Sequence, residues 1–138
     1  MQIPSRFTIA VHTLMCIDHF AGQHKATSEF IASSVNVNPV IIRQVLQKLK
    51  AAGLVTVERG AGGAALARPA SDITLLDVLQ AIEGVKGPLF NFHENPNPNC
   101  PIGAAVRPVL EGRLQKAQSA MEQELASTSL ADLLKDVE

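Results

Sequence analysis

The segment from Pro39 to Ala52 carries side chains that can read the edges of DNA bases. Arg43 and Gln44 lie on the polar side of a helical pattern, and Val40 precedes them by about one turn. A guanidinium can bond guanine through two acceptors, a glutamine amide can bond adenine, and a valine can meet a thymine methyl group. Asn38, together with the helix N-terminus, can hold a phosphate. The spacing therefore predicts a surface that binds nucleic acid.

A second feature is the stretch ERGAGGAALARP, which covers residues 58–69 and holds three glycines and four alanines. Glycine removes the side chains that would block a close approach to the DNA backbone or the narrow minor groove. Arg59 could then insert where the electrostatic potential is most negative. Arg68 is a weaker candidate for a phosphate contact. Taken alone, the stretch is also compatible with an ordinary flexible hairpin turn.

Helices and a hairpin must position these residues. Apolar spacing predicts a first helix over 3–20, which Gly22 ends. Thr27 then caps a short second helix, SEFIASS, and Asn38 caps a third, which begins at Pro39 and stops at Gly53. Residues 54–58 and 64–68 read as two β-strands. This order predicts a winged helix-turn-helix, whose second motif helix enters the major groove.

The second half of the chain is predicted to be mainly helical. Thr74 and Asp77 form a capping box that begins a fourth helix, closed by Gly84. Residues 85–101 contain Asn-Pro pairs and are predicted to be irregular. A long helix follows over 104–126, with Pro108 in its first turn or at a kink. Its apolar side is formed by Val106, Leu110, Leu114, Ala117, Met121 and Leu125. Ser129 and Asp132 cap a short last helix.

Composition sets limits on the class of protein. With 138 residues, 46% of them hydrophobic, the chain can bury one ordinary core. It has no apolar run of about 18 residues or more, and its N-terminus reads as a first helix and not as a signal peptide. Residues 1–70 carry seven Lys/Arg and three Asp/Glu, whereas residues 71–138 carry five and ten. This asymmetry is compatible with a half that faces a polyanion, although chance scatter explains it equally well.

The cysteines and histidines offer little for catalysis. Two cysteines are too few for a disulfide framework, so a reducing cytoplasm is expected. Cys16 lies among apolar residues of the first helix and is expected to be buried. The histidines share no metal-ligand spacing, and neither a catalytic triad nor a phosphate loop is recognisable, so no enzyme is predicted. Phe90 and Phe92 are expected to pack into the core, with a small ligand pocket as the alternative.

Taken together, these residues resemble a known family. NPVIIRQVLQKLKAAGLVTVERGAGGAALARPASDITLLDVLQAIEG is similar to the winged-helix block of the IscR/NsrR/CymR-type bacterial transcription regulators, often called the Rrf-type family. The resemblance also includes SRFTIAVHTL, the CPIG turn and the long C-terminal helix. It covers nearly the whole chain, and its most specific part is GLVTVERGAGGAALAR followed by ITLLDV.

The resemblance implies a homodimeric repressor on a pseudo-palindromic operator, with helix 104–126 as the main dimer contact. It divides the chain into a DNA-binding domain over 1–84, an effector or sensor loop over 85–103 and a dimerisation segment over 104–138. It implies that Val40, Arg43 and Gln44 read bases while Arg59 enters the minor groove. The full set of candidate DNA contacts is Ser5, Arg6, Thr27, Asn38, Val40, Arg43, Gln44, Lys48, Arg59, Gly60, Gly62 and Gly63.

The sequence departs from the family pattern in the loop. Cluster-binding members place three cysteines there, whereas this chain has only Cys100. Because an iron–sulfur cluster usually takes four protein ligands, most of them thiolates, no cluster is expected. Cys100 precedes a helix, which favours its thiolate, so it is a candidate oxidant sensor; an unreactive packing cysteine is the alternative.

The alternative function is a winged-helix module that binds another protein and not DNA, because a fold does not determine a function. The basic and amide-bearing outer side of the third helix argues against it, since protein-binding surfaces are enriched in aromatic residues. Double-stranded DNA, a second copy of the chain and a small-molecule or oxidant effector are the expected partners.

Overall fold

A computed structural model describes residues 3–59, 62–83 and 89–137, so Gly60 and the helix-ending Gly84 lie outside the described residues. The prediction of a mainly helical chain with a hairpin wing and a long C-terminal helix is confirmed. The elements in chain order are α1 (Arg6–His19), α2 (Ser28–Val35), α3 (Pro39–Ala51), β1 (Val55–Glu58), β2 (Gly63–Leu66), a 3₁₀ turn (Ala70–Asp72), α4 (Leu75–Glu83), α5 (Pro101–Ala126) and α6 (Leu130–Lys135).

Local capping explains where several helices begin. Thr27 Oγ1 accepts a hydrogen bond from the Phe30 N–H at 3.1 Å, and Asn38 Oδ1 accepts one from the Val40 N–H at 2.9 Å. Both predicted caps are therefore confirmed. The predicted capping boxes are also present, with reciprocal bonds of 3.0 and 3.1 Å between Thr74 and Asp77 and of 2.9 and 3.1 Å between Ser129 and Asp132.

Contacts divide the chain into two compact units. The first, which we call the core unit, comprises the described residues 3–59, 62–83 and 125–137, and it contains α1 to α4, the hairpin and α6. Its core is formed by side chains from every one of these helices, including Leu14, Ile31, Ile42, Leu49, Val78 and Leu130. The C-terminal segment joins this unit through the Leu130 N–H, which donates to the Ile73 carbonyl at 2.8 Å. The functional segments 1–84, 85–103 and 104–138 stay predictions.

The second unit comprises the described residues 89–124, namely an irregular segment and most of α5. None of these residues is buried. Phe92 lies beside Arg107, whose Cζ is 4.8 Å from the centre of the ring, and Phe90 is 36% exposed. The expectation that Phe90 and Phe92 pack into the core is wrong, because the core of the chain lies in the other unit.

Two helix boundaries differ from the sequence prediction. The first helix starts at Arg6 and ends at His19, after which the chain turns through Gly22 at a φ of +81°. The long helix begins at Pro101, not at residue 104, because proline suits the first helical position, where no N–H is required. As a consequence Pro108 lies inside the helix, and the first-turn placement is wrong. Pro108 has no N–H to donate to the Ala104 carbonyl.

Candidate nucleic-acid interface

Helix α3 presents the predicted base-reading side chains because its opposite face is anchored in the core. Ile42, Val45, Leu46 and Leu49 are at most 4% exposed, whereas Val40 is 48% exposed and Arg43 and Gln44 are exposed. The predicted polar outer side of this helix is confirmed, and Ile41 is half-buried. Because its buried side is packed in the core, α3 keeps its outer residues free to contact a groove of DNA.

Arg43 is held by a carboxylate from α2. Its Nη2 lies 2.8 Å from Glu29 Oε1, and the two side chains are 53% and 66% exposed. Glu29 sits in the first turn of α2. Its own backbone N–H, followed by the Arg43 guanidinium, lowers the pKa of the Glu29 carboxyl below its ordinary value. The carboxylate therefore stays charged beside Arg43 throughout the neutral pH range.

Gln44 is held in a similar way by the start of α1. Arg6 Nη1 donates to Gln44 Oε1 at 2.8 Å, which leaves the two amide hydrogens of Gln44 for other acceptors. The structure thus brings Arg6 beside α3, the predicted recognition helix, and its DNA contact stays a prediction. Ser5, the residue before α1, is exposed and its carbonyl accepts from the Thr8 hydroxyl at 2.9 Å.

Lys48 is directed toward another part of the core unit. Its Nζ donates to the Ile82 carbonyl at 3.1 Å, near the end of α4. A cation at this position stabilises the carbonyl groups at a helix C-terminus, which lack intrahelical partners. Lys48 therefore has a structural partner that the sequence did not indicate, and its DNA contact stays a prediction.

The hairpin β1–β2, which we call the wing, lies next to the start of α2. Its strands pair antiparallel, with Val55 opposite Leu66 and Glu58 opposite Gly63. The Ala64 N–H donates to the Ala26 carbonyl at 2.9 Å. Gly63 has a φ of +79°, and a Cβ there would come within 3.0 Å of the Ala26 backbone. Glycine is therefore required at residue 63 both for its conformation and for this close approach.

The tip of the wing displays Arg59, which is exposed. At Gly62 a Cβ would collide with the Glu58 side chain, so a side chain at that position is excluded without rearrangement. Arg68, the weaker phosphate candidate, is paired with Asp77, whose Oδ2 lies 3.3 Å from its Nη2. Because Asp77 also belongs to the capping box of α4, Arg68 has a structural role that its sequence position did not reveal.

Sequence reasoning missed Glu29 as part of this surface. The signal that was available is an acidic residue two positions after the predicted cap Thr27, in the first turn of the helix that precedes the recognition helix. Helix pairing in a helix-turn-helix brings that turn close to the exposed face of the second helix. Only the fold shows that its partner is Arg43, which lies 14 residues further along the chain.

The candidate sensor Cys100 occupies the position immediately before α5. It is partly exposed, and its carbonyl accepts the Ala104 N–H at 2.9 Å. The backbone N–H of Gly103, and after it that of Ile102, hydrogen-bonds the sulfur and lowers the pKa of the Cys100 thiol. Gly103 is needed here because a Cβ would strike the Asn97 carbonyl oxygen. Cys16, by contrast, is 5% exposed, which confirms its predicted burial.

The described residues contain neither a membrane-spanning helix nor a cluster of metal ligands. No helix in this part of the chain is long and apolar enough to cross a membrane. Within the same ranges, no group of three or more His, Cys, Asp or Glu side chains is arranged to hold a metal ion. A single thiol in the segment before α5 does not fit the thiolate-rich ligand set of an iron–sulfur cluster.

Comparison with known proteins identifies the class of protein to which the chain belongs. Residues 3–136 match the model of the Rrf2 family, described as iron-dependent transcriptional regulators. Since the match covers nearly the whole chain, the chain belongs to the Rrf2 family. The resemblance inferred from the wing and recognition-helix residues is thereby confirmed. The protein is a DNA-binding transcription regulator and not an enzyme.

Individual relatives agree with this assignment. The chain is 42% identical over 133 residues to YwnA of Bacillus subtilis, named as a candidate HTH-type transcriptional regulator, covering 96% of this chain and 97% of YwnA. A crystal structure described as that of a candidate DNA-binding protein is 38% identical, with a TM-score of 0.75 over 94% of this chain and 99% of its own. IscR of T. potens is 26% identical, with a TM-score of 0.74 over 100% of this chain and 89% of that chain.

Proposed function

We propose that the protein is a homodimeric repressor that reads a two-fold symmetric operator and responds to thiol oxidation. The observation that carries this proposal is the exposed outer face of α3, where Val40, Arg43 and Gln44 project beside a glycine-rich wing that displays Arg59. A helix of this kind fits the major groove, where each base pair has a distinct pattern of donors and acceptors. Arg59 would insert into the adjacent minor groove.

Dimerisation is supported by α5, which has no buried residue in the described chain. Ile102, Val109 and Leu110 on this helix are 74%, 54% and 38% exposed. Exposed apolar side chains along one helix favour a helical partner, and a second copy would supply the same surface. A symmetric dimer places two copies of α3 on half-sites about one helical turn apart.

Control by oxidation is supported by the position of Cys100 at the start of α5. A thiolate reacts with oxidants and electrophiles more readily than a thiol, and the lowered pKa increases its fraction. Modification at Cys100 would alter the first turn of the proposed dimer helix and so lower the affinity for DNA. We further propose that this control requires no iron–sulfur cluster, a point that metal analysis and the visible spectrum of anaerobically purified protein test.

The test of the function is selection of genomic fragments by the purified protein at physiological salt, with excess non-specific DNA. We expect recovery of a shared two-fold site. Arg43→Ala and Arg59→Ala should each weaken binding to that site by about fivefold or more, because each removes a contact worth about 1–3 kcal/mol. Arg113→Ala on α5 is the matched control, since it removes the same side chain outside the proposed DNA-binding surface and outside the predicted apolar side of α5.

Recovery of no shared site from either reduced or oxidised protein would contradict the function. Unchanged binding by both the Arg43→Ala and Arg59→Ala variants would instead overturn only the assignment of residues. Repression is tested separately with a reporter gene placed behind the selected site. Its transcription should rise when the protein is absent, and a fall would identify an activator.

A further inference from the structure

The ion pair between Glu29 and Arg43 places a carboxylate on the surface that is proposed to face DNA. Such a charge is unfavourable near phosphates, so its presence next to the main arginine of the recognition helix calls for an explanation. The bond is short, at 2.8 Å, although both side chains are more than half exposed. Exposed ion pairs contribute little to stability, so the pair is not explained by stability alone.

The fold holds the Glu29 carboxylate in place through α2. Thr27 caps α2, which sets the direction of its first turn, and the backbone N–H of Glu29 hydrogen-bonds its own carboxylate. Arg43 projects from α3, a helix anchored by buried residues on its other side. Two rigid elements thus bring the two side chains together. The geometry of the pair is set before any DNA is present.

The remaining donors of Arg43 are suited to a base edge. A guanidinium carries five N–H donors in one plane, and the bond to Glu29 uses one hydrogen of Nη2. The other donors can still meet the O6 and N7 acceptors of guanine. A side chain already held in one orientation loses less conformational freedom when it binds. The carboxylate also cancels much of the positive charge that would attract any phosphate regardless of sequence.

We propose that Glu29 is a positioning residue that orients the Arg43 guanidinium for guanine and so sets the sequence discrimination of the recognition helix. The inference rests on the proposed function, because it requires that Arg43 reads a base. Removal of the carboxylate should therefore lower discrimination at one base pair while raising the affinity for unrelated DNA. A residue that only supported the fold would lower binding to all sequences together.

A second carboxylate nearby supplies a matched control. Glu29, Arg43 and Glu58 line the same cavity of about 240 Å³, together with Thr27, Val57 and Gly63. Glu58 belongs to the wing and, in the part of the chain that the structure describes, forms no ion pair with Arg43. Glu58→Gln therefore removes the same charge from the same surface but leaves the Glu29–Arg43 pair intact.

The experiment measures the dissociation constants of wild type, Glu29→Gln, Glu58→Gln and Arg43→Ala. The probes are the selected operator, its variants with each base pair replaced in turn, and an unrelated duplex of equal length. Arg43→Ala identifies the base pair that Arg43 reads. At that pair the wild type should discriminate by about 5- to 150-fold, the range of one bidentate contact. Glu29→Gln should reduce this ratio by about threefold or more, and Glu58→Gln should leave it unchanged.

A salt titration on the unrelated duplex gives an independent measurement. If Glu29→Gln frees Arg43 to contact a phosphate, the log–log slope of affinity against salt concentration should steepen by about 0.9. The Glu29→Gln/Arg43→Ala double variant should not show this change, because it lacks the arginine. The role of Glu29 would be overturned if Glu29→Gln left the discrimination ratio unchanged or lost affinity equally at every base pair. In either case, operator binding by the wild type would still uphold the proposed function. A wild type that selects no site would overturn both.

Discussion

At the scale of single residues, the polar side chains proposed to read DNA already have partners in the free protein. Arg43 is bound to Glu29 and Gln44 to Arg6, each at 2.8 Å. Binding to DNA is therefore an exchange or an extension of existing hydrogen bonds. An exchange is favourable only where the new acceptors have the right geometry, because each hydrogen bond that is given up must be replaced by another.

Gly63 has a backbone conformation in the wing that favours glycine. We expect Gly63→Ala to lower the free energy of unfolding by about 1–2 kcal/mol, because a side chain at a positive φ is strained and its Cβ would meet the Ala26 backbone at 3.0 Å. Chemical denaturation measures the change. Gly112→Ala is the control, since nothing lies within 4 Å of its added Cβ and alanine favours a helix; a loss of stability there equal to that at Gly63 would contradict the argument.

Cys100 should titrate below the ordinary range of a cysteine thiol. The N–H groups of Gly103 and Ile102 stabilise the thiolate and lower its pKa, so the thiolate fraction at a given pH is larger than for a free cysteine. The pH at which alkylation by iodoacetamide reaches half its maximal rate should accordingly be lower than for a cysteine-containing peptide. Mass spectrometry on the Cys100→Ser variant identifies the reacting residue, because the remaining Cys16 is buried. Equal half-maximal pH values for protein and peptide would contradict the assignment.

At the scale of elements, the turn between α2 and α3 controls the placement of the recognition helix. Asn36 ends α2 in the left-handed conformation at a φ of 67°, and Asn38 caps α3. Asn38→Ala should lower the free energy of unfolding by about 1 kcal/mol, because it removes the bond to the Val40 N–H. Thermal or chemical denaturation provides the measurement.

Asn38→Asp separates the stability of this cap from its contact with DNA. An aspartate caps as well as an asparagine, and its charge is favourable at a helix N-terminus. Stability should therefore be retained or increased, whereas affinity for DNA should fall because the carboxylate repels a phosphate at the same position. A variant that binds DNA as tightly as the wild type would show that no phosphate lies against Asn38.

The sequence was most informative about interactions between residues that are close together in the chain. The caps at Thr27 and Asn38 and both capping boxes join atoms within three residues, so residue type and spacing suffice to predict them. The pairs Glu29–Arg43 and Arg6–Gln44 join residues 14 and 38 positions apart, and they exist only because tertiary packing brings their helices together. For the same reason the structural roles of Lys48 and Arg68 were not predictable from residue type.

At the scale of the whole molecule, the two compact units differ in how they are stabilised. The core unit has a core of buried residues, whereas no described residue of 89–124 is buried. A helix of 26 residues extends about 39 Å, and isolated helices depend on packing for most of their stability. The absence of buried residues in the described part of this unit therefore supports the proposed assembly with a second chain.

Leu110→Glu tests that assembly. Leu110 is 38% exposed on the predicted apolar side of α5, so a carboxylate there should cost little within one chain but should oppose burial against a second one. Sedimentation equilibrium should show a dimer for the wild type and a monomer, or a dissociation constant raised by about tenfold or more, for the variant. Gln115→Glu adds the same charge at an exposed position of the same helix, outside the predicted apolar side, and should remain dimeric.

The same variants connect assembly to operator binding. A dimer gains affinity from two linked half-site contacts, so loss of the dimer lowers operator affinity far more than it lowers the affinity of each half-site. Leu110→Glu should consequently bind the two-fold operator and an isolated half-site with similar affinity, whereas the wild type should strongly prefer the complete operator. A monomeric Leu110→Glu variant that retained this preference would show that the symmetry of the site does not act through α5.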